Sequence, residues 1–373
     1  MSWYEGIERD SPAYAFAVST AEVIYSIAGP GTGKTYALKR RIAKLLHDGV
    51  DPRRILAVTF TRTAAADLKK EISSLNVDGA SEVVARNLHS ICYQILLRRE
   101  ILRITGRNPR IMLDHEIKTM LRDLTDSRYG DIRRKEKRVK AYEAAWARLQ
   151  QDDPGHATNE IDESFEGDLL SWLKSHNAML IGEIIPITLM YLKDNPEAIE
   201  RRKYDYVLVD EFQDLNKAEQ KLIYLLKSNG KLTIIGDDNQ SIYTFKYAHP
   251  EGIRQIPVVF PDCNTINFHE CRRCPTLVVD MAVKLIHHNS DCSSVDLFPR
   301  SRNDRGIVNL IQWPSLQDEI TGVAEIVIQH LHNDQIITGD VLILSPRRLI
   351  GYQIRNILKE NDINVKGAHQ IIF

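Results

Sequence analysis

The sequence predicts an α/β fold, in which a parallel sheet is covered by helices, interrupted by an all-helical insertion and followed by a partial second α/β domain. Short runs rich in valine and isoleucine alternate with segments of helical periodicity, which is typical of a parallel sheet. The strand pattern disappears between residues 90 and 204, where amphipathic helices dominate, and it resumes at Tyr206. A second α/β unit is expected beyond Pro275.

Six apolar runs predict the strands of the first sheet. They lie at residues 23–28, 55–60, 83–85, 206–209, 232–235 and 265–268. A helix is expected directly after the first strand, because apolar residues recur at helical spacing from Leu38 to Leu46. The first strand therefore leads through a glycine-rich loop into an amphipathic helix.

The remaining elements predict the domain organisation. Helices are expected at residues 116–124, 169–174, 277–287, 316–331 and 349–360, and two further strands at 307–312 and 340–344. We expect a first domain formed by residues 1–95 and 202–273, a helical insertion at 96–201, and an incomplete second domain at 274–373.

Composition excludes several classes of protein. Hydrophobic residues make up 43% and charged residues 27% of 373 residues, which is ordinary for a folded chain. The apolar runs are shorter than the roughly 18–20 residues that span a bilayer, so no membrane partner is expected. Five cysteines, an odd number, argue against a disulfide framework and favour an intracellular, cytoplasmic location.

Charge limits how a polyanion could be bound. The 49 basic and 50 acidic residues nearly cancel, giving a net charge of -1. The chain as a whole therefore has no field that attracts nucleic acid. A nucleic acid would have to be held by local patches.

The first predicted loop has the chemistry of a phosphate site. The residues predicted to bind the nucleotide there are Ala28, Gly29, Gly31, Thr32, Gly33, Lys34 and Thr35. Glycines let backbone amides wrap a phosphate, Lys34 reaches the β and γ phosphates, and the Thr35 hydroxyl suits Mg²⁺. Ala28 stands where the usual pattern has glycine. The context of strand and helix nevertheless predicts an ATP-type nucleotide with Mg²⁺.

The fourth predicted strand ends in carboxylates. Asp210 and Glu211 follow it directly, at the edge where open α/β sheets bind ligands. Asp210 is suited to hold Mg²⁺, and Glu211 to orient and deprotonate a water that attacks the γ phosphate. Both are predicted catalytic residues, together with Lys34.

Taken together, these blocks resemble UvrD/Rep-type superfamily 1 DNA helicases. The matching blocks lie in the family's order at residues 28–35, 55–65, 87–90, 209–214 and 236–243, with a weaker one at 270–273. The resemblance implies a P-loop NTPase domain of the RecA-like type that uses ATP and Mg²⁺. It also implies binding to single-stranded DNA and to a duplex junction, with travel from 3′ to 5′.

The resemblance assigns further roles. It implies that Gln240 senses the γ phosphate and that Arg272 is an arginine finger. The residues implied to contact DNA are Phe60, Arg62, His89, Tyr243 and Phe245. Aromatic faces stack on any base, at about 1–3 kcal/mol each, which suits binding without sequence preference.

Three positions depart from the family's pattern. Tyr36 stands where an arginine is usual, Cys271 where a tyrosine is usual, and no glutamine precedes Gln94 to read adenine. Tyr36 is a candidate for the missing aromatic face at the nucleotide base. Packing against its own helix is an equal alternative, so base preference stays open.

Other patterns leave alternatives open. The Cys271–Cys274 pair, with Cys263, His269 and Cys292 nearby, is a weak metal pattern. A basic run at residues 133–140 suits a duplex backbone, although a charge run on a helix is more often a solvated face.

The chain ends before the family's later motifs, which include a second arginine. We expect it to bind ATP and single-stranded DNA, to hydrolyse ATP slowly at best, and to unwind duplex only with a partner protein or the missing C-terminal segment. The rivals to a motor are a nucleotide-gated DNA-binding subunit and a small-molecule kinase. The ATPase rate with and without single-stranded DNA separates all three.

Overall fold

A six-stranded parallel sheet forms the centre of the first of two units in the computed structural model. The structure describes residues 3–4, 6–150, 159–289, 296–333 and 337–365. The two units are Met1–Gly306 and Ile307–Phe373. The sheet strands are β1 Val23–Ile27, β2 Ile55–Val58, β3 Val84–Arg86, β4 Tyr206–Val209, β5 Lys231–Gly236 and β6 Asn264–Thr265. The predicted α/β class is confirmed.

The strand order places the ends of the central strands side by side. The order is β3-β2-β4-β5-β1-β6, and every neighbouring pair is parallel. Val58 is level with Val209, and Ile27 with Gly236. The residues that follow β1, β2, β4 and β5 therefore emerge at one edge of the sheet, where ligands bind in open α/β folds.

The described residues form helices in both units. They are α1 Pro12–Val18, α2 Lys34–His47, α3 Arg62–Ser73, α4 Leu88–Leu96, α5 Arg99–Thr105, α6 Asp114–Asp123, α7 Ile132–Ala147, α8 Glu160–Ser175, α9 Ile184–Asp194, α10 Lys217–Lys227, α11 Glu251–Arg254, α12 Ile256–Val259, α13 Thr276–Ile286, α14 Leu316–His332 and α15 Arg348–Glu360. Val207 and Val209 join one core, whereas Leu208 joins the core on the other face. This alternation is what a strand buried on both sides requires.

The helical part has a core of its own. Met120, Tyr129, Phe165 and Leu169 pack together there. By contrast, α9 contributes Ile184, Ile185 and Leu189 to the core of the sheet. The predicted limits of the insertion stay a prediction.

The basic run on α7 presents a solvated face, but two of its basic side chains are buried or paired. Lys135 is buried and donates a hydrogen bond to the carbonyl of Leu121 at 3.1 Å. Arg138 is half-buried and pairs with Asp162. Arg133, Arg134 and Lys137 are exposed. The side chains available to a phosphate backbone are therefore fewer than the sequence suggests.

A short two-stranded sheet follows the main one. It pairs β7 Glu270–Cys271 with β8 Phe298–Pro299 in parallel. In the second unit, α14 and α15 pack through Ile320, Ala324, Ile354 and Leu358.

The strands predicted at 307–312 and 340–344 are wrong. Both segments lack a ladder partner among the described residues. Leu310 is 100% and Leu342 79% exposed, so the apolar run meets no sheet there. A strand needs a neighbour for its hydrogen bonds, and apolar alternation alone does not supply one.

No helix in the described part of the chain is both long and apolar enough to cross a bilayer.

Candidate nucleotide-binding site

The loop between β1 and α2 is shaped by two glycines. Gly31 has φ 71° and Gly33 has φ 96°, a left-handed backbone that favours glycine. The Thr32 hydroxyl donates to the Gly29 carbonyl at 2.8 Å, and the Ala28 amide donates to the Gly236 carbonyl at 2.9 Å. These bonds hold a tight turn directly before the first turn of α2. A helix N-terminus after such a turn is suited to a phosphate.

The segment around Arg272 lies directly against this loop. The Arg272 amide donates to the Gly31 carbonyl at 2.8 Å. A Cβ placed on Gly31 would lie 2.8 Å from the Cys271 sulfur and 2.9 Å from the Arg273 Cβ, so only glycine allows this approach. The Arg272 guanidinium itself pairs with Glu270 at 2.9 Å. Its predicted contact with a γ phosphate requires that it leave Glu270.

Carboxylates crowd the end of β4. Lys34 Nζ lies 2.9 Å from Glu211 Oε2, which joins the loop to the acidic turn. Glu211 has φ 52°, an uncommon conformation for a residue with a side chain. Backbone strain of this kind concentrates at functional sites. The predicted catalytic residues Lys34, Asp210 and Glu211 are thus brought together.

Burial shapes the acidity of this cluster. Burial, together with the nearby Glu211 carboxylate, raises the pKa of Asp210 to about 7, whereas Lys34 opposes the shift. The same causes raise the pKa of Asp214 to about 7. One buried oxygen of Asp214, Oδ1, has no hydrogen-bond partner among the described residues. Above about pH 7 the three carboxylates carry more negative charge than Lys34 balances.

This excess of negative charge fits a divalent cation. Carboxylate and hydroxyl oxygens are the ligands that Mg²⁺ prefers, and it usually keeps several waters beside one or two protein ligands. The residues that would hold it are Asp210 and Thr35, which occupies the second position of α2. The donor set fits the predicted Mg²⁺.

The Cys271–Cys274 pattern gains no such support. In the part of the chain that the structure describes, no group of three or more His, Cys, Asp or Glu side chains could hold a metal. Cys263 is half-buried and its thiol lies 4.0 Å from the Thr265 hydroxyl. Cys292 lies outside the described residues.

Two further residues connect the acidic turn to Gln240. Gln213 donates to Glu211 Oε2 at 2.8 Å and accepts from the Asp237 amide at 2.9 Å. Gln240 in turn donates to Asp237 Oδ2 at 2.7 Å. Gln213 and Asp237 are only 1% and 3% exposed. A partly buried chain of hydrogen bonds thus runs from Lys34 through Glu211, Gln213 and Asp237 to Gln240.

Sequence reasoning did not single out Gln213 or Asp237. Both lie within blocks already matched to the helicases, and both are polar residues at the end of a buried strand. Their position at the end of a buried strand is the feature from which the sequence could have predicted them. Gly236 beside them is constrained by space, because a Cβ there would lie 2.3 Å from Gln213 Oε1.

An aromatic cluster begins three residues after Gln240. The ring centres of Phe60 and Tyr243 are 4.9 Å apart, and those of Tyr243 and Phe245 are 5.8 Å apart. The Lys246 ammonium lies 5.3 Å from the Phe60 ring centre and 5.4 Å from that of Tyr243. Phe245 is 51% exposed. The three aromatic residues predicted to contact DNA therefore form one surface, to which Lys246 adds an unpredicted positive charge.

The other two residues predicted to contact DNA lie beside this surface or near it. His89 Nδ1 is 3.7 Å from a carboxylate oxygen of buried Glu219. Burial and the charge of Lys246 lower the pKa of His89. Its ring can offer a phosphate a hydrogen bond. Arg62 is exposed at the first position of α3, two residues after Phe60.

Tyr36 contacts both the N-terminal segment and its own helix. Its hydroxyl donates to the Gly6 carbonyl at 3.1 Å, and the Arg40 guanidinium lies 5.0 Å from its ring centre. The ring is half-buried. Its role at the nucleotide base stays a prediction.

Together, the parallel sheet, the glycine loop that enters α2 and the acidic end of β4 define a P-loop NTPase fold. The family model for the UvrD/REP helicase N-terminal domain matches residues 13–261. The chain belongs to the UvrD/REP helicase family. The resemblance found in the sequence is confirmed.

Curated relatives agree with this assignment. The chain is 29% identical over 331 residues to an ATP-dependent DNA helicase PcrA of Staphylococcus aureus. The aligned region covers 85% of this chain and 45% of the relative. It is 32% identical over 289 residues to an ATP-dependent DNA helicase PcrA of Staphylococcus epidermidis, covering 74% and 39%. The chain thus spans less than half the length of these relatives.

The buried Asp210 carboxyl predicts a pH-dependent gain in stability for the Asp210→Asn variant. Because the pKa of Asp210 is raised to about 7, the native state keeps a proton that the unfolded chain releases above about pH 4, and stability falls as the pH rises between these values. Asparagine has no charge to bury. We expect it to stabilise the Mg²⁺-free protein by about 1–4 kcal/mol above about pH 7.

Urea unfolding at about pH 8 and about pH 5 measures this gain, which should be smaller at the lower pH. Asp67→Asn, an exposed carboxylate on α3, is the control and should change little at either pH. A destabilised Asp210→Asn protein at the higher pH would contradict the assignment.

Proposed function

We propose that this chain is the ATP-binding motor core of a DNA helicase, which hydrolyses ATP in step with binding to single-stranded DNA. The observation that carries the proposal is the partly buried chain of hydrogen bonds from Lys34 to Gln240, which ends three residues before the aromatic surface begins. This chain of hydrogen bonds supports a direct connection between the nucleotide site and a surface that binds bases. The names of the relatives, which are ATP-dependent DNA helicases, also favour the proposal.

The chemistry proposed for the nucleotide site begins with Lys34. Its ammonium pairs with Glu211, and a bound γ phosphate competes for the same charge. When Lys34 turns to the phosphate, the Glu211 carboxylate is released to accept a proton from the attacking water. Mg²⁺, held by Asp210 and Thr35, would neutralise charge on the β and γ phosphate oxygens.

Coupling to DNA is proposed to pass through Gln240. Its amide is bonded to Asp237, and a γ phosphate offers it a competing acceptor. A shift of Gln240 moves the segment that carries Tyr243 and Phe245. Since Gln213 binds both Glu211 and the Asp237 amide, the proposed base and the proposed sensor move together.

An alternative function is a nucleotide-gated DNA-binding subunit with little turnover. The pairing of Arg272 with Glu270 at 2.9 Å favours it, because this arginine is then withheld from the phosphate. The ATPase rate with and without single-stranded DNA decides. Stimulation by DNA supports the motor, whereas DNA binding without turnover supports the subunit.

Finer features are carried over from the resemblance as proposals. They are travel from 3′ to 5′, action at a duplex junction, an intracellular location, and dependence on a partner protein or a longer chain for unwinding. Duplexes with either a 3′ or a 5′ single-stranded tail test the direction. Unwinding from the 5′ tail alone would contradict it.

The aromatic surface predicts the effect of Tyr243→Ala and Phe245→Ala on single-strand binding. Each should weaken binding by about 1–3 kcal/mol for any base sequence, because stacking is lost and no base edge is read. Fluorescence anisotropy with labelled oligonucleotides of different sequence measures this. Phe298→Ala is a matched control, since Phe298 is also 51% exposed but lies in β8.

Salt provides a second measure of the same surface. The logarithm of the binding constant should fall with the logarithm of salt concentration, with a slope of about -0.7 for each phosphate contact. Lys246→Ala should reduce that slope, whereas Phe245→Ala should leave it unchanged. Salt-independent binding, or aromatic variants that bind like the native chain, would refute the proposed surface.

A further inference from the structure

The Cys271 and Cys274 thiols form a pair that the proposed function does not use. Burial together with the neighbouring Cys271 raises the pKa of Cys274. Cys271 is fully buried, whereas Cys274 is half-buried. Cys274 is therefore the member of the pair that solvent can reach.

Asn303 holds the backbone of this pair in a closed turn. Its side-chain amide donates to the Cys271 carbonyl at 2.8 Å and to the Cys274 carbonyl at 3.0 Å. The Arg300 amide also donates to the Cys271 carbonyl, at 3.0 Å. A disulfide needs Cα atoms within about 4.4–6.8 Å of each other. One side-chain amide that bridges both carbonyls keeps the two backbones close, as that bond requires.

The pair also touches the phosphate loop. The Cys271 sulfur packs on Gly31, where an added Cβ would lie only 2.8 Å away. Arg272 stands between the two cysteines, and its amide donates to the Gly31 carbonyl at 2.8 Å. A rotation of the Cys271 sulfur toward Cys274 would change its contact with Gly31, the residue to which the Arg272 amide is bonded.

We propose that Cys271 and Cys274 are a redox modification site, at which a disulfide displaces Arg272 and the phosphate loop and slows ATP hydrolysis. The oxidant belongs to the peroxide class, or to the small disulfides that exchange with thiols. The effect on hydrolysis rests on the proposed function. Formation of the bond does not.

The chemistry balances with hydrogen peroxide. The Cys274 thiol loses its proton and the thiolate attacks one peroxide oxygen; the O–O bond breaks to give a sulfenic acid and hydroxide, and the hydroxide takes up the proton as one water. The Cys271 sulfur then attacks the Cys274 sulfur, the S–O bond breaks, and the leaving hydroxide takes the Cys271 proton as a second water. Two thiols lose two electrons and two protons, and peroxide is reduced to two waters. The raised pKa of Cys274 makes the first step slow at neutral pH, because the thiolate is the nucleophile.

The other described cysteines are poorer candidates. Cys92 is fully buried, and burial raises the pKa of its thiol to about 12. Cys263 is half-buried, with its thiol 4.0 Å from the Thr265 hydroxyl. Cys292 lies outside the described residues, so the test includes a Cys292→Ser chain.

The test treats the full chain with hydrogen peroxide at mildly alkaline pH and maps disulfides by mass spectrometry of unreduced peptides. We expect a Cys271–Cys274 bond in the native chain and in Cys292→Ser, and none in Cys274→Ser. A bond to another cysteine, or no bond, would overturn the site. This readout does not depend on ATP hydrolysis.

The functional consequence is measured on the same samples. We expect the oxidised native chain to hydrolyse ATP at least about tenfold more slowly and to recover with dithiothreitol, since a displacement of about 1 Å can cost about 10²-fold. Reduced Cys274→Ser should match the native rate and keep it after peroxide, whereas Cys263→Ser should remain sensitive. If the mapped bond forms and the rate is unchanged, control of the loop is wrong.

Failure of the proposed function gives a different result. In that case the reduced native chain would not hydrolyse ATP at all, although the disulfide would still map to Cys271 and Cys274. The affinity for a fluorescent ATP analogue then reports the displacement of the loop. Equal affinity before and after oxidation would overturn the proposed control.

Discussion

A Glu211→Gln chain should bind Mg-ATP like the native protein and hydrolyse it about 10²–10⁴-fold more slowly, which is the usual contribution of a positioned general base. Glutamine keeps the size of the side chain and can still accept hydrogen bonds from Lys34 and Gln213, which both contact Glu211 Oε2. It cannot take a proton from water. The fold should therefore persist while turnover is lost.

Single-turnover hydrolysis, together with equilibrium binding of an ATP analogue, separates the two effects in this variant. Glu251→Gln is a matched control, because Glu251 is an exposed glutamate on α11 that pairs with His249. It should hydrolyse ATP at the native rate. Normal turnover by Glu211→Gln would show that another residue is the base.

A Lys34→Ala chain should lose both nucleotide affinity and turnover, the latter by at least about 10²–10³-fold, as for the loss of one group that stabilises transition-state charge. Lys34 is the charge that opposes the raised pKa of Asp210 and Asp214. Its removal should raise both pKa values further. The fold should survive, because the side chain of Glu211, its ion-pair partner, is 36% exposed and can be solvated.

Lys39→Ala is the control on the same helix. Lys39 pairs with Glu71 at 3.1 Å, beyond the first turn of α2. We expect native ATP binding and turnover from it, and a circular dichroism spectrum for Lys34→Ala that matches the native chain. Turnover by Lys34→Ala within about twofold of native would exclude Lys34 from the phosphate site.

Much of the sheet was predictable because its signals are local or nearly so. The strands at 23–27, 55–58 and 206–209 are buried on both faces, so each reads as an apolar run. The prediction was less accurate for the edge strand β6. β6 is only Asn264–Thr265, and beyond it Phe268 keeps a single bridge to Ala28. An edge strand has one partner, so its length depends on how far that neighbour extends.

The site residues can likewise be divided into those with a local sequence signal and those whose role depends on folding. Lys34, Asp210 and Glu211 were predictable because each follows a buried strand at a short, recognisable spacing. Lys246 was missed since its charge matters only after folding brings it over Phe60 and Tyr243. The basic run at residues 133–140 gave no sign that Lys135 turns inward and donates to the carbonyl of Leu121, because that contact exists only after folding.

The sequence by itself determined the strand, the glycine loop and the helix that follows, since glycine φ angles and helix periodicity are decided within a few residues. Only the tertiary structure decided which groups meet at the sheet edge. Glu211 and Lys34 are 177 positions apart, and the Asp237 amide reaches Gln213 across 24. It also placed Cys271 on Gly31. Such contacts depend on strand order and register, which arise from burying many side chains at once and not from any single stretch of chain.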